Sequence, residues 1–563
     1  MLDRSRLGLV GLSVVLCLTA SCSADPPRWS LLVISVDSLR VDRLALWNPQ
    51  TGVDTPHLNT LAARGSLYVN AWATSPWTAP SMVSVFTGLY PPSHGVFARD
   101  DTTPPGLPTL AGLLAERGYR RGNFSFFSTI SYFRNLELGE PQKGLGHTQI
   151  SEAFGRWLAD GEPAEPFFAW LHLLEPHLPY GATGYRATEV QVPGSSGLEE
   201  AQLRAAVPVG TVEFEDGDRE RLRALYDRDL AAMDEALGRV LDALDREGRR
   251  DSTLIVFVAD HGEELLDHGW IGHASTARQA KLVPEILRVP LVLAGPGVPE
   301  GKVYGELVQP VDVLPTVGHL LDLPIPQVLD GVRLPGFGPS WWPFRDHRAH
   351  AFFDSSAGGN LTSRERRDER IQGVTDGDCL LAEHRVPGRP VQIHLTVTTS
   401  GTPSDSASND VCGESERRRL AGALDLWRRR QASQRLAVLG GTTGGSAPPR
   451  DADAFTESIE VRAPRDGGQV LWETHQGQLI LEWSGRGAGY WVEYHAGAGA
   501  RAVSGEFTVE TARLTFGPFP QGFWNDLAGY SPFRFRVLDA DHGERSPWVD
   551  FEVKAMAPGG DER

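Results

Sequence analysis

The threonine at position 78 stands where its hydroxyl could act as a nucleophile. Thr78 begins the stretch TAPSMVSVFT, which Gly88 follows. The hydroxyl residue, the early Pro80 and the closing glycine predict a short helix that starts at Thr78. Unpaired N–H groups and the dipole at a helix N-terminus favour negative charge, so an alkoxide on Thr78 and an incoming anionic ester would both be stabilised there. The simpler alternative is an ordinary helix-capping threonine.

Two aspartates could support this chemistry from the ends of buried strands. The apolar run WSLLVISV is followed by Asp37, and the run STLIVFVA by Asp260 and His261. Both runs have the continuous hydrophobicity of central parallel strands. Ligands of open α/β sheets bind beyond the carboxyl ends of such strands, so the two aspartates can meet there. Each aspartate alone could equally be a turn or cap residue.

Amphipathic segments lie between these strands and predict helices. LPTLAGLLAERGY and RERLRALYDRDLAAMDEALGRVLDALDREG repeat leucine and alanine every three or four residues. Alternation of strands and helices predicts a layered α/β fold. A chain of 563 residues, 41% of them hydrophobic, requires more than one packed domain. Its net charge of −18 argues against non-specific nucleic-acid binding.

The N-terminus has the features of a secretory signal. Arg4 and Arg6 precede the apolar run LGLVGLSVVLCLTA, which is too short to span a bilayer. The ending LTASC resembles a bacterial lipobox, although Thr19 replaces the usual leucine. We expect residues 1–22 to be a lipoprotein-type signal peptide. A lipid on Cys22 would anchor an extracytoplasmic protein in the periplasm or at the cell surface, and plain secretion is the alternative.

Two further cysteines lie far from this segment. Cys379 and Cys412 could form a disulfide in an oxidising compartment. The sequence alone leaves open that they are two unrelated thiols, because it does not give their geometry.

Several separated motifs resemble the sulfatase branch of the alkaline phosphatase superfamily. In chain order they are VDSLRVDRL, TPHLNTLAARGSLYVNAW, TAPSM, FTGLYPPSHGV, LHLLEPHLPY, VFVADHGEELLDHGWIGH, LRVPLVLAGPG and VQPVDVLPTVGHLLDLP. The resemblance covers residues 30–345 and implies an alkaline-phosphatase-like α/β catalytic core there. It implies a small C-terminal subdomain in residues 346–436.

The resemblance also implies roles for individual residues. One divalent metal ion would be bound by Asp37, Asp260, His261 and the hydroxyl of the nucleophile Thr78. His177 and His273 occupy positions that bind the ester oxygens or protonate the leaving group. Less secure substrate-binding positions are His94, His172, His268 and Lys281, each of which could be an ordinary core or surface residue. Carboxylates with an imidazole are compatible with Mn²⁺, Ca²⁺, Mg²⁺ or Zn²⁺.

Three features depart from the family pattern. Typical sulfatases carry a cysteine or serine, oxidised to formylglycine, where this chain has Thr78, so we expect no formylglycine. Met82 replaces the arginine that supports formylglycine. Ser38 stands where many calcium-dependent members have a second aspartate, and His261 where they often have asparagine. One carboxylate fewer and one imidazole more favours Mn²⁺ or Zn²⁺, as in phosphonate monoester hydrolases and lipoteichoic-acid-synthase-like transferases.

Together these residues predict an exported, metal-dependent hydrolase of anionic esters. An adduct on Thr78 must be cleared by attack at the transferred atom, which favours phosphate or phosphonate esters over sulfate esters. One alternative is a catalytically silent lipoprotein that binds sulfated or phosphorylated glycans. Another is a phosphoglycerol or phosphoethanolamine transferase. The expected partners are an ester on a glycan or lipid headgroup and the membrane, through the anchor, but not nucleic acid.

The C-terminal part differs from the core in its sequence pattern. Residues 437–457 are rich in Gly, Thr, Ser and Pro and predict a flexible linker. Residues 458–555 contain short alternating segments separated by turn residues, which predict a β-sandwich that resembles a fibronectin type III domain. Its tryptophans Trp483, Trp491 and Trp548 are expected in the core or on strand surfaces.

Overall fold

The structure is a computed structural model that describes most of the chain. The described residues are 28–50, 52–125, 133–142, 147–181, 214–273, 281–326, 329–337, 348–356, 368–398, 412–442, 456–476, 478–485, 490–497, 503–509, 511–529, 531–539 and 544–555. The predicted signal peptide, with Cys22, lies outside them. No helix within these ranges is long and apolar enough to cross a membrane.

A mixed sheet of eight strands forms the centre of the N-terminal part. The strands of this part, in chain order, are β1 Ser30–Val36, β2 Gly65–Tyr68, β3 Arg120–Ser125, β4 Pro141–Gln142, β5 Phe167–Leu173, β6 Thr253–Ala259, β7 Glu264–Leu265, β8 Ile271–Gly272, β9 Leu291–Ala294 and β10 Lys302–Tyr304. The order across the sheet is β10-β2-β9-β6-β1-β5-β3-β4, and β7 pairs with β8 in a separate hairpin. Strand β1 is parallel to β5 and β6, whereas β9 is antiparallel to both its neighbours.

Helices accompany this sheet and confirm the predicted α/β class. They are α1 Pro56–Ala63, α2 Thr78–Thr87, α3 Pro91–His94, α4 Leu110–Glu116, α5 His147–Ala159, α6 Asp218–Arg246, α7 Pro284–Leu287 and α8 Val313–Leu320. The two amphipathic segments identified in the sequence correspond to α4 and α6. Helix α4 follows Thr109, whose hydroxyl accepts a hydrogen bond from the Gly112 amide at 3.0 Å and so caps its first turn.

The central strands bring distant segments to one edge of the sheet. Every residue of β1 and β6 is buried, which explains their uninterrupted hydrophobic sequence. The register pairs Val36 with Ala259 on one side and with Leu173 on the other. The residues that follow these three strands therefore lie side by side.

A second, antiparallel sheet forms the predicted small subdomain. Its strands are β11 Ala351–Ser356, β12 Arg370–Thr375, β13 Cys379–Arg385 and β14 Gln392–Val397, and helix α9 Glu414–Thr442 packs on it. Trp427 of α9 stacks on Phe352 with ring centroids 5.2 Å apart. Cys379 and Cys412 are joined in a disulfide, with a Cα separation of 5.8 Å.

The predicted linker begins too early. Helix α9 continues to Thr442, so residues 437–442 are helical, and a short strand already starts at Thr456. The run QRLAV contains good helix formers, which carry the helix past the point where glycine becomes frequent. Residues 443–455 lie outside the described part.

The C-terminal part is predominantly β, as predicted. Its strands are β15 Thr456–Glu457, β16 Val461–Ala463, β17 Gly468–Val470, β18 Leu479–Trp483, β19 Tyr490–Ala496, β20 Val503–Val509, β21 Arg513–Phe516, β22 Phe533–Asp539, β23 Glu544–Arg545 and β24 Val549–Val553. Two short helices, α10 Trp472–His475 and α11 Gln521–Ala528, accompany them. Strands β16, β18 and β21 form one sheet and the other strands a second.

Residues of both sheets share one hydrophobic core. Trp483 lies in that core, and Trp548 is half-buried beneath the guanidinium groups of Arg534 and Arg536. The side chain of Trp491 lies outside the described atoms. The specific likeness to a fibronectin type III domain stays a prediction.

Candidate active site

Two buried aspartates meet at the carboxyl end of the central sheet. Asp37 follows β1 and its amide donates to the Leu173 carbonyl at 2.9 Å, while Asp260 follows β6. Both side chains are completely buried. Burial and the neighbouring Asp37 carboxylate raise the pKa of Asp260 well above its usual range. Two carboxylates so close together in a buried place need a compensating positive charge.

His261 presents an unprotonated nitrogen to these carboxylates. Its Nδ1 lies 2.7 Å from the Gly262 carbonyl, which can only accept, so Nδ1 carries the hydrogen in the neutral ring. Nε2 lies 3.5 Å from Asp37 Oδ1 and 3.4 Å from Asp260 Oδ2. Burial, with the nearby His273, lowers the pKa of His261 to about 3. A neutral imidazole oriented in this way is suited to bind a metal ion.

Thr78 is the first residue of α2, as its sequence context predicts. Its Oγ1 lies 3.3 Å from His261 Nε2, and only 6% of the residue is exposed. The Ser81 hydroxyl donates to the Asp260 carbonyl at 2.6 Å and ties the first turn of α2 to the end of β6. The helix ends at Gly88, which has a φ of 65°. The Thr78 hydroxyl thus lies at the N-terminus of a helix and beside the acidic cluster.

His177 and His273 lie on the same cluster. Their ring centroids are 5.1 Å apart, and those of His261 and His273 are 4.2 Å apart. Potential ligand atoms of Asp37, His177 and His273 all lie within 4.8 Å of one another. Burial, with the nearby His177, lowers the pKa of His273 to about 3. The fold therefore brings together the two histidines that the sequence identified as catalytic.

Buried atoms without hydrogen-bond partners show that a cation fits this site. Asp37 Oδ2, Asp260 Oδ2 and His172 Nε2 are buried and unpaired. One ligand atom from each of these residues lies within 4.8 Å of the other two. Buried polar atoms are normally paired, and several that converge on one place form a site that a cation would fit. Asp37, Asp260 and His261 offer two carboxylates and an imidazole, a suitable donor set for a divalent metal.

His94 has a structural role in place of the predicted substrate contact. The ring is completely buried, its Nδ1 accepts from the Val96 amide at 3.2 Å, and its Nε2 lies 3.2 Å from the Pro80 carbonyl. Burial lowers its pKa to about 3. Because both ring nitrogens are bonded within the protein, no ring nitrogen is left for a substrate.

His268 and Lys281 belong to a neighbouring group of side chains. His268 Nδ1 lies 2.5 Å from Glu264 Oε1, and this hydrogen bond raises the pKa of the histidine. Lys281 Nζ lies 4.4 Å above the Trp270 ring, and burial lowers its pKa. Their role in substrate binding stays a prediction.

Two further residues organise the site: Glu263, which the sequence reasoning missed, and Ser38, which it named only as a departure from the family pattern. Glu263 is fully buried, and its Oε1 lies 2.8 Å from His273 Nδ1. Burial raises the pKa of Glu263 to about 7. Ser38 has a φ of 61°, and its hydroxyl donates to Asp37 Oδ1 at 2.9 Å while its amide lies 3.2 Å from Asp260 Oδ1. The glutamate in DHGE and the serine after Asp37 were the available sequence signals.

A buried arginine supports the same loops. The Arg40 guanidinium donates to the carboxylates of Asp42 and Asp267 and to the Glu263 carbonyl. The Arg40 amide donates to the hydroxyl of Tyr226, which itself donates to the Ser38 carbonyl. These bonds link the segment after β1 to helix α6 and to the segment after β6.

Comparison with known proteins identifies relatives of this chain. The chain is 28% identical over 326 residues to the low-salt glycan biosynthesis sulfotransferase Agl7 of Haloferax volcanii, a match that spans 57% of this chain and 69% of the relative. It is 22% identical to an arylsulfatase of Clostridium perfringens, over 60% of this chain and 84% of the relative.

Solved structures show the same fold. The phosphonate monoester hydrolase of Agrobacterium radiobacter superposes with a TM-score of 0.55 and 20% identity, over 73% of this chain and 96% of that one. A putative sulfatase from Bacteroides thetaiotaomicron gives 0.56 and 17%, over 76% and 97%. The protein-family model Sulfatase matches residues 30–323, more than half of the 563 residues. The chain therefore belongs to the sulfatase family.

Proposed function

We propose that this sulfatase-family protein hydrolyses phosphate or phosphonate esters with Thr78 as the nucleophile and a divalent metal held by Asp37, Asp260 and His261. One observation carries the proposal. The Thr78 hydroxyl lies at the N-terminus of α2 and 3.3 Å from His261 Nε2, on the cluster of buried carboxylates and imidazoles. A nucleophile needs an activating group within such reach.

The residues around Thr78 have different roles in the proposed reaction. The first N–H groups of α2 favour the negative charge of an incoming ester. A bound metal would lower the pKa of the Thr78 hydroxyl and shield the charge of the ester. Ser38 orients Asp37, and the Gly262 carbonyl holds the His261 ring so that Nε2 points to the carboxylates.

The reaction then needs an acid for the leaving oxygen. The Thr78 hydroxyl first gives up its proton to solvent. Its Oγ1 then forms a bond to phosphorus as the bond from phosphorus to the ester oxygen breaks, and His177 or His273 gives that oxygen a proton. The contact of 2.8 Å between Glu263 Oε1 and His273 Nδ1 orients that ring. Water then attacks phosphorus, gives one proton to the histidine and releases Thr78 as the alkoxide.

Threonine chemistry favours phosphorus over sulfur. A threonine cannot form the aldehyde hydrate that expels sulfate from carbon, so its adduct must be cleared at the transferred atom. Transfer to an acceptor alcohol is a second candidate, because the relative from Haloferax volcanii is named a sulfotransferase.

Turnover of matched substrates tests the proposal. Metal-loaded protein is assayed with aryl phosphate, phosphodiester, phosphonate and sulfate esters, with and without an acceptor alcohol. Thr78→Ala removes the nucleophile, and Thr60→Ala removes an exposed threonine hydroxyl as the control. We expect phosphorus ester turnover that Thr78→Ala abolishes and Thr60→Ala retains. Predominant sulfate turnover would refute the preference for phosphorus, and no turnover with metal bound would favour a binding module.

Export and lipid attachment are a further part of the proposal. The disulfide between Cys379 and Cys412 supports an oxidising compartment. Labelling of cells with a radioactive fatty acid tests the anchor, because the protein should take up label and Cys22→Ala should not. Equal labelling of the variant would exclude Cys22 as the lipid attachment site.

A further inference from the structure

We propose that His172 is an additional nitrogen ligand of the divalent metal, and this inference rests on the proposed metal-assisted function. His172 Nε2 is buried, has no hydrogen-bond partner, and lies 3.5 Å from Asp37 Oδ2. Both of these atoms and Asp260 Oδ2 lack hydrogen-bond partners. The proposal gives His172 metal binding instead of the predicted substrate contact.

The sheet places His172 beside Asp37. It lies on β5, where the register pairs it with Ser35 of β1, two residues before Asp37. His261 Nε2 lies 3.5 Å from Asp37 Oδ1, and His172 Nε2 lies 3.5 Å from Asp37 Oδ2. The two imidazoles therefore flank opposite oxygens of one carboxylate. Ligand atoms of His172, Asp37 and Asp260 lie within 4.8 Å of one another, so these three residues can share one cation.

A hydrogen-bond chain holds the His172 ring in place. Trp170 Nε1 donates to Ser35 Oγ at 2.8 Å, and His172 Nδ1 lies 2.8 Å from the same oxygen. The Ser35 hydroxyl also lies 3.4 Å from the Leu171 carbonyl. If it donates there, His172 Nδ1 donates to Ser35 and Nε2 keeps its lone pair for a metal. The hydroxyl has an acceptor in either His172 tautomer, so the ring can adopt the metal-binding form.

The extra nitrogen should determine which ions bind. Ca²⁺ and Mg²⁺ prefer oxygen ligands, whereas imidazole suits Zn²⁺ and the transition metals. A site with His172 and His261 as well as Asp37 and Asp260 should thus prefer Zn²⁺ or Mn²⁺. A histidine that only donates a hydrogen bond to Asp37 would support all of these ions alike.

Calorimetric titration of the metal-free full chain with Zn²⁺, Mn²⁺ and Ca²⁺ separates these two roles. His172→Gln removes the nitrogen, and His57→Gln, at an exposed position of α1, is the control. We expect His172→Gln to weaken Zn²⁺ and Mn²⁺ binding by at least about 10-fold and Ca²⁺ binding by clearly less. Unchanged binding, or an equal loss for all three ions, would overturn the proposal.

A crystal structure of Zn²⁺-loaded wild type keeps the test independent of whether the variant folds. The ion is located by its anomalous scattering, and we expect His172 Nε2 at about 2.1 Å from it. A distance above about 3 Å, well beyond a coordination bond, would refute the inference. Neither measurement depends on turnover, so failure of this ligand assignment and failure of the proposed reaction can be told apart.

Discussion

The cluster around Asp37 and Asp260 and the Asp312–Arg348 pair are both buried, but their charges differ in how completely they are hydrogen-bonded. Asp37 and Asp260 leave one oxygen each without a hydrogen-bond partner. Asp312 accepts from the Arg348 guanidinium through both oxygens and from the amides of Gln309 and Val332. Arg348 also donates to the Tyr90 hydroxyl at 2.7 Å. The second cluster is satisfied by the protein alone, whereas the first is not.

The two clusters also join different parts of the molecule. Asp312 precedes α8, and Arg348 precedes β11, so their ion pair connects the core to the small subdomain. Next to it the Gln309 side chain exchanges two 3.0 Å hydrogen bonds with the Phe352 backbone. A buried charged group whose hydrogen bonds are all made within the protein can link two parts of the structure. A buried charged group with unpaired atoms indicates a ligand.

Replacement of the proposed nucleophile, Thr78, should give the largest effect, and it concerns only the cluster around Asp37 and Asp260. We expect Thr78→Ala to lower kcat by more than about 10³-fold, as removal of other nucleophiles does. Thr78→Ser should retain measurable turnover, because it keeps a hydroxyl. Kinetics on the best substrate and a thermal melt check this. A Thr78→Ala protein with near-normal turnover would show that another group attacks the ester.

The same chemical change should act in opposite ways at the two clusters. Asp312→Asn weakens a complete buried ion pair and should lower the free energy of unfolding by about 3–5 kcal/mol. Asp260→Asn in metal-free protein should not lower it, because burial and Asp37 already raise the pKa of the Asp260 carboxyl and make its charged form unfavourable. Asp260→Asn should instead weaken metal binding by at least about 10-fold. Denaturant unfolding and metal titration provide the readouts, and equal destabilisation by both variants would contradict the comparison.

Loss of the disulfide should lower the stability of the protein without changing its metal affinity. The double variant Cys379→Ser with Cys412→Ser opens a loop closed over a sequence separation of 33. We expect the free energy of unfolding to fall by about 2–4 kcal/mol with metal affinity unchanged. Denaturant unfolding under oxidising conditions measures the loss. A parallel fall in metal affinity would mean that the subdomain supports the site.

Acid should destabilise the protein partly through His94. Its pKa is about 3 in the folded protein because the ring is buried, and an unfolded histidine has an ordinary value near 6.5. The stabilising contribution is therefore complete above about pH 6.5 and is lost as the pH falls towards 3. Between pH 7 and pH 5, wild type should lose on the order of 2 kcal/mol more than His94→Asn. Parallel pH profiles of unfolding would contradict this.

Much of the fold could be predicted because its signals are local. Uninterrupted apolar runs identified β1 and β6, and helical spacing identified α4 and α6. Helix α9 extends further than predicted, because good helix formers carry it into a segment whose composition resembled a linker. Helix α11 was missed, since the turn residues around it matched the strand-and-turn pattern of its neighbours.

The residue types of the site could be predicted from the sequence, but the role of each histidine could not. Sequence alone determined that Thr78 would begin a helix and that Asp37, Asp260 and His261 would follow buried strands, since short-range pattern governs both. The roles of His94 and His172 depend on contacts with residues that are distant in the sequence. The His94 ring is buried against α2, and the His172 ring lies beside Asp37. A histidine has the same side chain in either place, so only packing determines whether its nitrogens are satisfied or left for a ligand.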